Sequence, residues 1–150
     1  MRTTRIISDG EDATFQLGKR LAAVLPVGVT VSLRGDLGTG KTVFSRGFAR
    51  GLGITEPVTS PTFAVVQEYA CPDGRWLYHL DMYRITDEDA ALAFGVDEFL
   101  FPKDAVSLVE WPERIEGLLI PGAGQRHVPV VIEHAGGDIR HITLPADLAK

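Results

Sequence analysis

The segment Gly35-Asp36-Leu37-Gly38-Thr39-Gly40-Lys41-Thr42 matches the phosphate-loop pattern G-x-x-x-x-G-K-T/S at every fixed position. Before it, Val29, Val31 and Leu33 alternate as in a strand. After it, Phe44, Phe48 and Leu52 recur at helical spacing. Strand, glycine loop and helix in that order commit the chain to an α/β fold with a ligand at the C-terminal end of the strand. Glycines let backbone N–H groups crowd a phosphate chain, and the helix N-terminus adds partial positive charge. In this frame Gly35 to Thr42 form the cradle, Lys41 reaches the β and γ phosphates, and the Thr42 hydroxyl ligates Mg²⁺. A glycine-rich turn matching by chance is the rival, and the flanking strand and helix count against it. The expected ligand is a nucleoside triphosphate.

A chain of 150 residues is expected to form one domain, 1–150, burying roughly 70% of its unfolded surface. That leaves little room for a second catalytic domain or a large lid. Cys71 is the only cysteine, which rules out an intramolecular disulfide and fits a cytoplasmic, reducing home. The N-terminal residues contain no long apolar run, so neither a signal peptide nor a membrane span is expected. The net charge of −5 argues against strong sequence-independent binding to RNA or DNA, because little phosphate charge would be neutralised. Lys19 and Arg20, with Arg46 and Arg50 at i, i+4, read as solvated helix faces.

No internal repeat or low-complexity tract interrupts the chain. Residues 3–8 read as a strand, and Ser8 with Glu11 fits the S-x-x-E capping box of a first helix. Leu17, Leu21, Val24 and Leu25 form its core-facing stripe, ending near Pro26. Gly53 suits the C-terminal end of the phosphate-loop helix. Residues 63–69 and 75–82 flank the turn Cys71-Pro72-Asp73-Gly74 and read as a β-hairpin, which makes the sheet mixed. Thr86-x-x-Asp89 starts a short helix, 105–110 is a buried apolar strand, and Pro112 opens another helix. Residues 128–133 and 139–144 are two further strands around Gly136-Gly137-Asp138. The architecture is a central mixed sheet flanked by helices, of the P-loop NTPase type.

A phosphate loop needs an acid at the end of a buried strand to hold Mg²⁺ or its waters near Thr42. Leu77-Tyr78-His79-Leu80-Asp81 and Val106-Ser107-Leu108-Val109-Glu110 both end that way. The second is the cleaner apolar run and the expected parallel neighbour of the phosphate-loop strand, so Glu110 takes the metal side. Asp81 has three readings: it binds Mg²⁺ through water, it orients the attacking water, or it is only a strand-end acid. His79 shares a strand face with Asp81 and either meets phosphate or substrate or is a buried, hydrogen-bonded core residue. Trp111, next to Glu110, reads as core packing rather than a base-stacking platform. The loop 54–62 carries two prolines and several hydroxyls. On spacing alone, Ser60 and Thr62 are equally a γ-phosphate-sensing switch and ordinary loop chemistry.

The chain contains no asparagine, and neither Lys103 nor Lys150 follows a threonine, so the Asn/Thr-Lys-x-Asp element of guanine recognition is missing and ATP is preferred. Arg75, Arg84, Arg114, Arg126 and Arg140 are scattered through the second half without forming an evident kinase lid.

The phosphate loop, Ser60-Pro61-Thr62-Phe63, Glu68-Tyr69, His79-Leu80-Asp81-Met82-Tyr83-Arg84 and Val109-Glu110-Trp111-Pro112 occur in this order. As a set, over about residues 8–115, they resemble the bacterial TsaE (YjeE) ATPases; the phosphate loop alone would select no family. Thr39 and Val43 depart from the commoner alanine and threonine, at positions where the loop uses its backbone. The resemblance implies an ATPase that supports synthesis of N6-threonylcarbamoyladenosine in tRNA beside the TsaD–TsaB synthase pair, without itself transferring the threonylcarbamoyl group. It implies tRNA contact only through that complex. It puts Mg²⁺ on Thr42 and Glu110, a hydrolytic role on Asp81, a switch at Ser60 and Thr62, and the adenine near Glu11. Two other classes compete: a nucleotide-switched binding module in which hydrolysis is incidental, and a small-molecule kinase.

Overall fold

The computed structural model describes residues 2–59 and 64–149. Seven strands form one sheet: β1 (Thr3–Ser8), β2 (Val29–Arg34), β3 (Val66–Ala70), β4 (Trp76–Asp81), β5 (Ala105–Glu110), β6 (Arg126–His134) and β7 (Arg140–Pro145). Their order across the sheet is β1-β7-β6-β2-β5-β4-β3. β6, β2, β5 and β4 run parallel, while β1, β7 and β3 pair antiparallel at the edges. The sheet is therefore mixed, as the hairpin predicts, and β2 sits inside its parallel centre with β5 as a neighbour.

Among the described residues, three α-helices accompany it: α1 (Glu11–Ala23), α2 (Lys41–Gly51) and α3 (Glu88–Ala93). Strand alternation sorts the side chains into two cores. Val31 and Leu33 of β2, Val106 and Leu108 of β5, and Val130 and Ile132 of β6 meet Leu17, Leu21, Phe44 and Phe48 on the α1–α2 face. On the other face, Leu80 and Val109 meet Ala91, Val96, Phe101 and Ile115. On β4, His79 and Asp81 keep the parity of Leu77, and on β5 Glu110 keeps that of Leu108. All three therefore point to the side on which α2 begins.

Several local expectations need correction. Ser8 belongs to β1 and does not cap α1. The N-cap is Gly10, and Ser8 Oγ donates to the Gly10 carbonyl at 2.9 Å and pairs with Thr14 Oγ1 at 2.7 Å. Val24 lies past the end of α1 and is exposed, so the helix stripe is Thr14, Leu17, Gly18, Leu21 and Ala22, and Leu25 is buried just beyond the helix. Asp87, not Thr86, caps α3, accepting from the Ala90 N–H at 2.8 Å. The described part of the hairpin's first strand begins at Val66, and Phe63 lies outside the described residues. Pro112 opens a single 3₁₀ turn, Pro112–Arg114, rather than an α-helix. Gly53 stands just past the Leu52 cap of α2 with φ +85°, as a C-terminal glycine should.

Candidate functional site

The loop from β2 to α2 bends at Gly38 (φ +79°) and Gly40 (φ +106°), backbone shapes that a β-carbon would penalise. Gly40 is the N-cap of α2 and no side chain caps it, so the first amides of α2 are left to whatever lies in front of them. Thr39 is buried and its hydroxyl donates to the Asp36 carbonyl at 2.8 Å, bracing the loop from within. Gly35 has a packing reason to be glycine: a β-carbon there would sit 2.8 Å from both the Ile132 carbonyl oxygen and Thr39 Oγ1.

In front of this loop lies a cleft of about 470 Å³. Leu37, Gly38, Gly40, Lys41 and Thr42 form one wall, Asp81, Tyr83, Glu110 and Trp111 the other, with Glu11 at the rim. Asp81 and Glu110 are register partners across β4 and β5, and Glu110 is level with Leu33 of β2. The topology thus delivers both predicted acids to the mouth of the phosphate loop. Gly35, Asp36 and Thr39 support the loop without lining the cleft. Ser60 and Thr62, the switch candidates, lie outside the described residues.

Lys41 is the most unusual group in the cleft. The residue is 7% exposed, and among the described residues its Nζ has no hydrogen-bond partner. The ammonium stands 3.8 Å from the centroid of the Trp111 ring. Burial pushes its pKa below the ordinary lysine value, opposed first by the charge of Glu110 and then by Glu113, Asp81 and Asp36. A buried cation without a hydrogen-bond acceptor, at the head of a helix with uncapped amides, fits an anionic ligand such as a phosphate chain. Trp111 packs against the second core, as expected, and also reaches the cleft. It is half-buried, holds a left-handed backbone (φ +56°), lies 5.0 Å from the Tyr83 ring and forms part of the cleft wall.

Glu110 is 4% exposed, and its Oε2 accepts from His79 Nε2 at 2.6 Å. His79 is thus the buried, hydrogen-bonded histidine, and it acts behind the cleft rather than in it. Asp81 Oδ1 accepts from the Tyr83 N–H at 2.9 Å, which fixes the carboxylate at the strand end. Among the described residues, no group of three His, Cys, Asp or Glu side chains converges as a metal-binding set. Thr42 and Glu110 instead offer one hydroxyl and one carboxylate, a donor set that suits Mg²⁺ completed by phosphate oxygens and water.

Arg140, familiar within the family resemblance but given no role from the sequence, braces the phosphate loop. It crosses from β7 to donate to the Thr39 carbonyl at 3.0 Å and to that of Gly38 at 3.4 Å. Tyr83 and Trp111 could have been found from the motif blocks that contain them, but Arg140 stands 101 residues from its partner.

A family model described as threonylcarbamoyl adenosine biosynthesis protein TsaE matches residues 8–142, which extends the similarity through Arg140. A Bacillus subtilis protein named tRNA threonylcarbamoyladenosine biosynthesis protein TsaE is 46% identical over 136 residues, covering 90% of this chain and 80% of the relative. A Streptomyces coelicolor protein of the same name is 38% identical over 138 residues, covering 86% and 87%. The crystal structure of Bacillus subtilis YdiB superposes with a TM-score of 0.77 at 37% identity, covering 95% of this chain and 84% of that one. The motif order, the mixed sheet with its glycine loop, and sequence similarity along nearly the whole length agree, and the chain belongs to the TsaE family.

Proposed function

We propose that this protein binds and hydrolyses ATP with Mg²⁺, in the cytoplasm, and that hydrolysis supports the TsaD–TsaB synthase pair that makes threonylcarbamoyladenosine in tRNA. The observation that carries the nucleotide reading is Lys41. Its buried ammonium has no hydrogen-bond acceptor among the described residues and stands at the glycine loop and the uncapped start of α2. The names of the relatives supply the pathway.

In this reading the amides of Leu37 to Thr42 and the Lys41 ammonium hold the phosphates. Thr42 and Glu110 hold Mg²⁺, whose charge neutralises developing negative charge on the phosphoryl oxygens. Asp81, fixed at its strand end, orients water, and Glu11 at the rim borders the base. Phosphoryl transfer asks the protein mainly for position and charge, and a supplied arginine typically adds about 10³–10⁵ in rate. Arg140, which reaches the phosphate loop, spends its donors on carbonyls. Slow hydrolysis alone and faster hydrolysis in the partner complex follow.

The test is ATP turnover by the isolated chain against turnover in a reconstituted TsaD–TsaB mixture with tRNA. Equal rates in the two would contradict partner dependence. Glu110→Gln should lower turnover by about 10²–10³ while retaining nucleotide binding. If that variant sustains full tRNA modification, hydrolysis is incidental and the protein is a nucleotide-switched binding module. Release of inorganic phosphate with no phosphorylated acceptor separates the ATPase from a kinase.

A further inference from the structure

Beside the cleft lies a second, smaller constellation. His79 Nε2 and Glu110 Oε2 are 2.6 Å apart, with side chains 1% and 6% exposed. A carboxylate only accepts, so Nε2 is the donor. Among the described residues, the other ring nitrogen, Nδ1, is buried without a partner, and so is Ser45 Oγ. Both residues border one void with Thr42, Thr59 and Glu110, and it has no room for a water molecule. Burying a polar atom without a partner costs its full desolvation. Two such atoms beside one carboxylate mark a place where something other than packing has set the residues.

We propose that His79 is a positioning residue for Glu110. By taking Oε2 it fixes the rotation of the carboxylate and leaves Oε1 as the oxygen that serves the metal side of the cleft. The geometry suits that role. His79 comes from β4 and Glu110 from β5, so the hydrogen bond crosses two parallel strands whose registry is already fixed by backbone pairing. A histidine ring holds its donor more rigidly than a flexible side chain would. Partners behind a ligating carboxylate act in this way on the affinity of a metal site. The inference rests on Glu110 serving the metal side, as proposed above.

Two variants of similar volume separate the donor from the packing. His79→Gln keeps an N–H at the reach of Nε2, and His79→Leu fills the space without one. A non-hydrolysable ATP analogue is titrated into the full chain in EDTA and at increasing Mg²⁺. In His79→Leu the half-saturating Mg²⁺ concentration should rise about 10–100-fold, with His79→Gln within about 3-fold of the parent. Affinity in EDTA should be unchanged in both. If His79→Leu does not fold, His79→Asn, too short to reach Oε2, takes its place. Identical Mg²⁺ dependence in the Leu and Gln variants overturns the proposal, and so does an equal loss of affinity in EDTA. Glu110→Gln tells the two readings apart. If it leaves Mg²⁺ dependence unchanged, the metal role of Glu110 fails and the positioning role falls with it. If it shifts that dependence while His79→Leu does not, only the positioning role fails.

Discussion

Arg140 satisfies four backbone carbonyls with one guanidinium: Thr39 and Gly38 in the phosphate loop, and Gly137 (2.6 Å) and Ile139 (3.0 Å) in its own turn. A trans peptide points its carbonyl and amide opposite ways, so holding the Thr39 carbonyl turns the Gly40 amide away from Arg140, while the Thr39 amide is taken by the Asp36 carbonyl at 3.3 Å. Arg140→Ala should weaken binding of an ATP analogue by about 10-fold, the scale of one charged hydrogen bond of ~1.5 kcal/mol. Arg140→Lys should recover little, because a single ammonium cannot span four acceptors. Equilibrium titration checks both, and an unchanged affinity in Arg140→Ala would remove the clamp from the site. Lys41 shows the opposite economy. Burial depresses its pKa, so its charged form is less stable here than in water. Lys41→Met should therefore raise the melting temperature of the ligand-free protein by about 2–4 °C, the shift that ~1 kcal/mol produces in a chain of this size. It should also abolish the further stabilisation that nucleotide gives the parent. At this scale the placement of Lys41, Thr42 and Glu110 around one cleft was legible because it depends on local spacing and strand ends. Arg140 was not, because its role is created by folding β7 back toward β2.

The contact between α1 and α2 is built from glycines rather than large side chains. A β-carbon at Gly47 would overlap the Phe15 carbonyl, one at Gly18 the Phe44 carbonyl, and one at Gly51 the Lys19 carbonyl. Close approach fixes where α2 begins relative to Glu11, and so the width of the cleft. In an open helix, Gly→Ala gains about 1 kcal/mol from helix propensity. At Gly47 the clash is with backbone, which cannot rotate away, and overpacking typically costs about 1–3 kcal/mol or more. The clash should win, so Gly47→Ala should lower stability in urea unfolding; an increase would show that the helices separate freely. Sequence periodicity found both helices and the buried positions Leu17, Leu21, Phe44 and Phe48, because 3.6-residue spacing is a local property. It misread Ser8 because a capping box and a strand ending in serine look alike until the chain direction after Asp9 is known. It could not show that Gly18, Gly47 and Gly51 face a neighbouring backbone, since a helical glycine carries no sign of what lies opposite.

Across the whole molecule, β5 could be identified from its apolar run as the parallel neighbour of β2, and the alignment of Asp81 with Glu110 followed once β4 and β5 were paired. The far side of the sheet was harder to foresee, because its cover is made of α3 and short 3₁₀ turns with weak periodicity. That cover leaves a cavity of about 310 Å³ against β2 and β6, lined by Ser32, Arg34, Leu119, His127 and Val131. Ser32 Oγ and His127 Nε2 are 2.7 Å apart at its base, and Arg34 closes one side through ion pairs with Glu113 and Glu116. Burial pushes the His127 pKa below its ordinary value of 6.5. Between the folded value and 6.5, the unfolded chain takes up a proton that the native chain refuses. Stability therefore falls as pH drops through about 6.5, and the loss is complete below the folded value. His127→Gln keeps a hydrogen-bonding group for Ser32 and has nothing to protonate. Urea unfolding at about pH 7.5 and about pH 5.5 should show a smaller loss of stability in His127→Gln than in the parent. Equal losses would place the acid sensitivity on other groups and leave His127 charged or neutral alike in the fold.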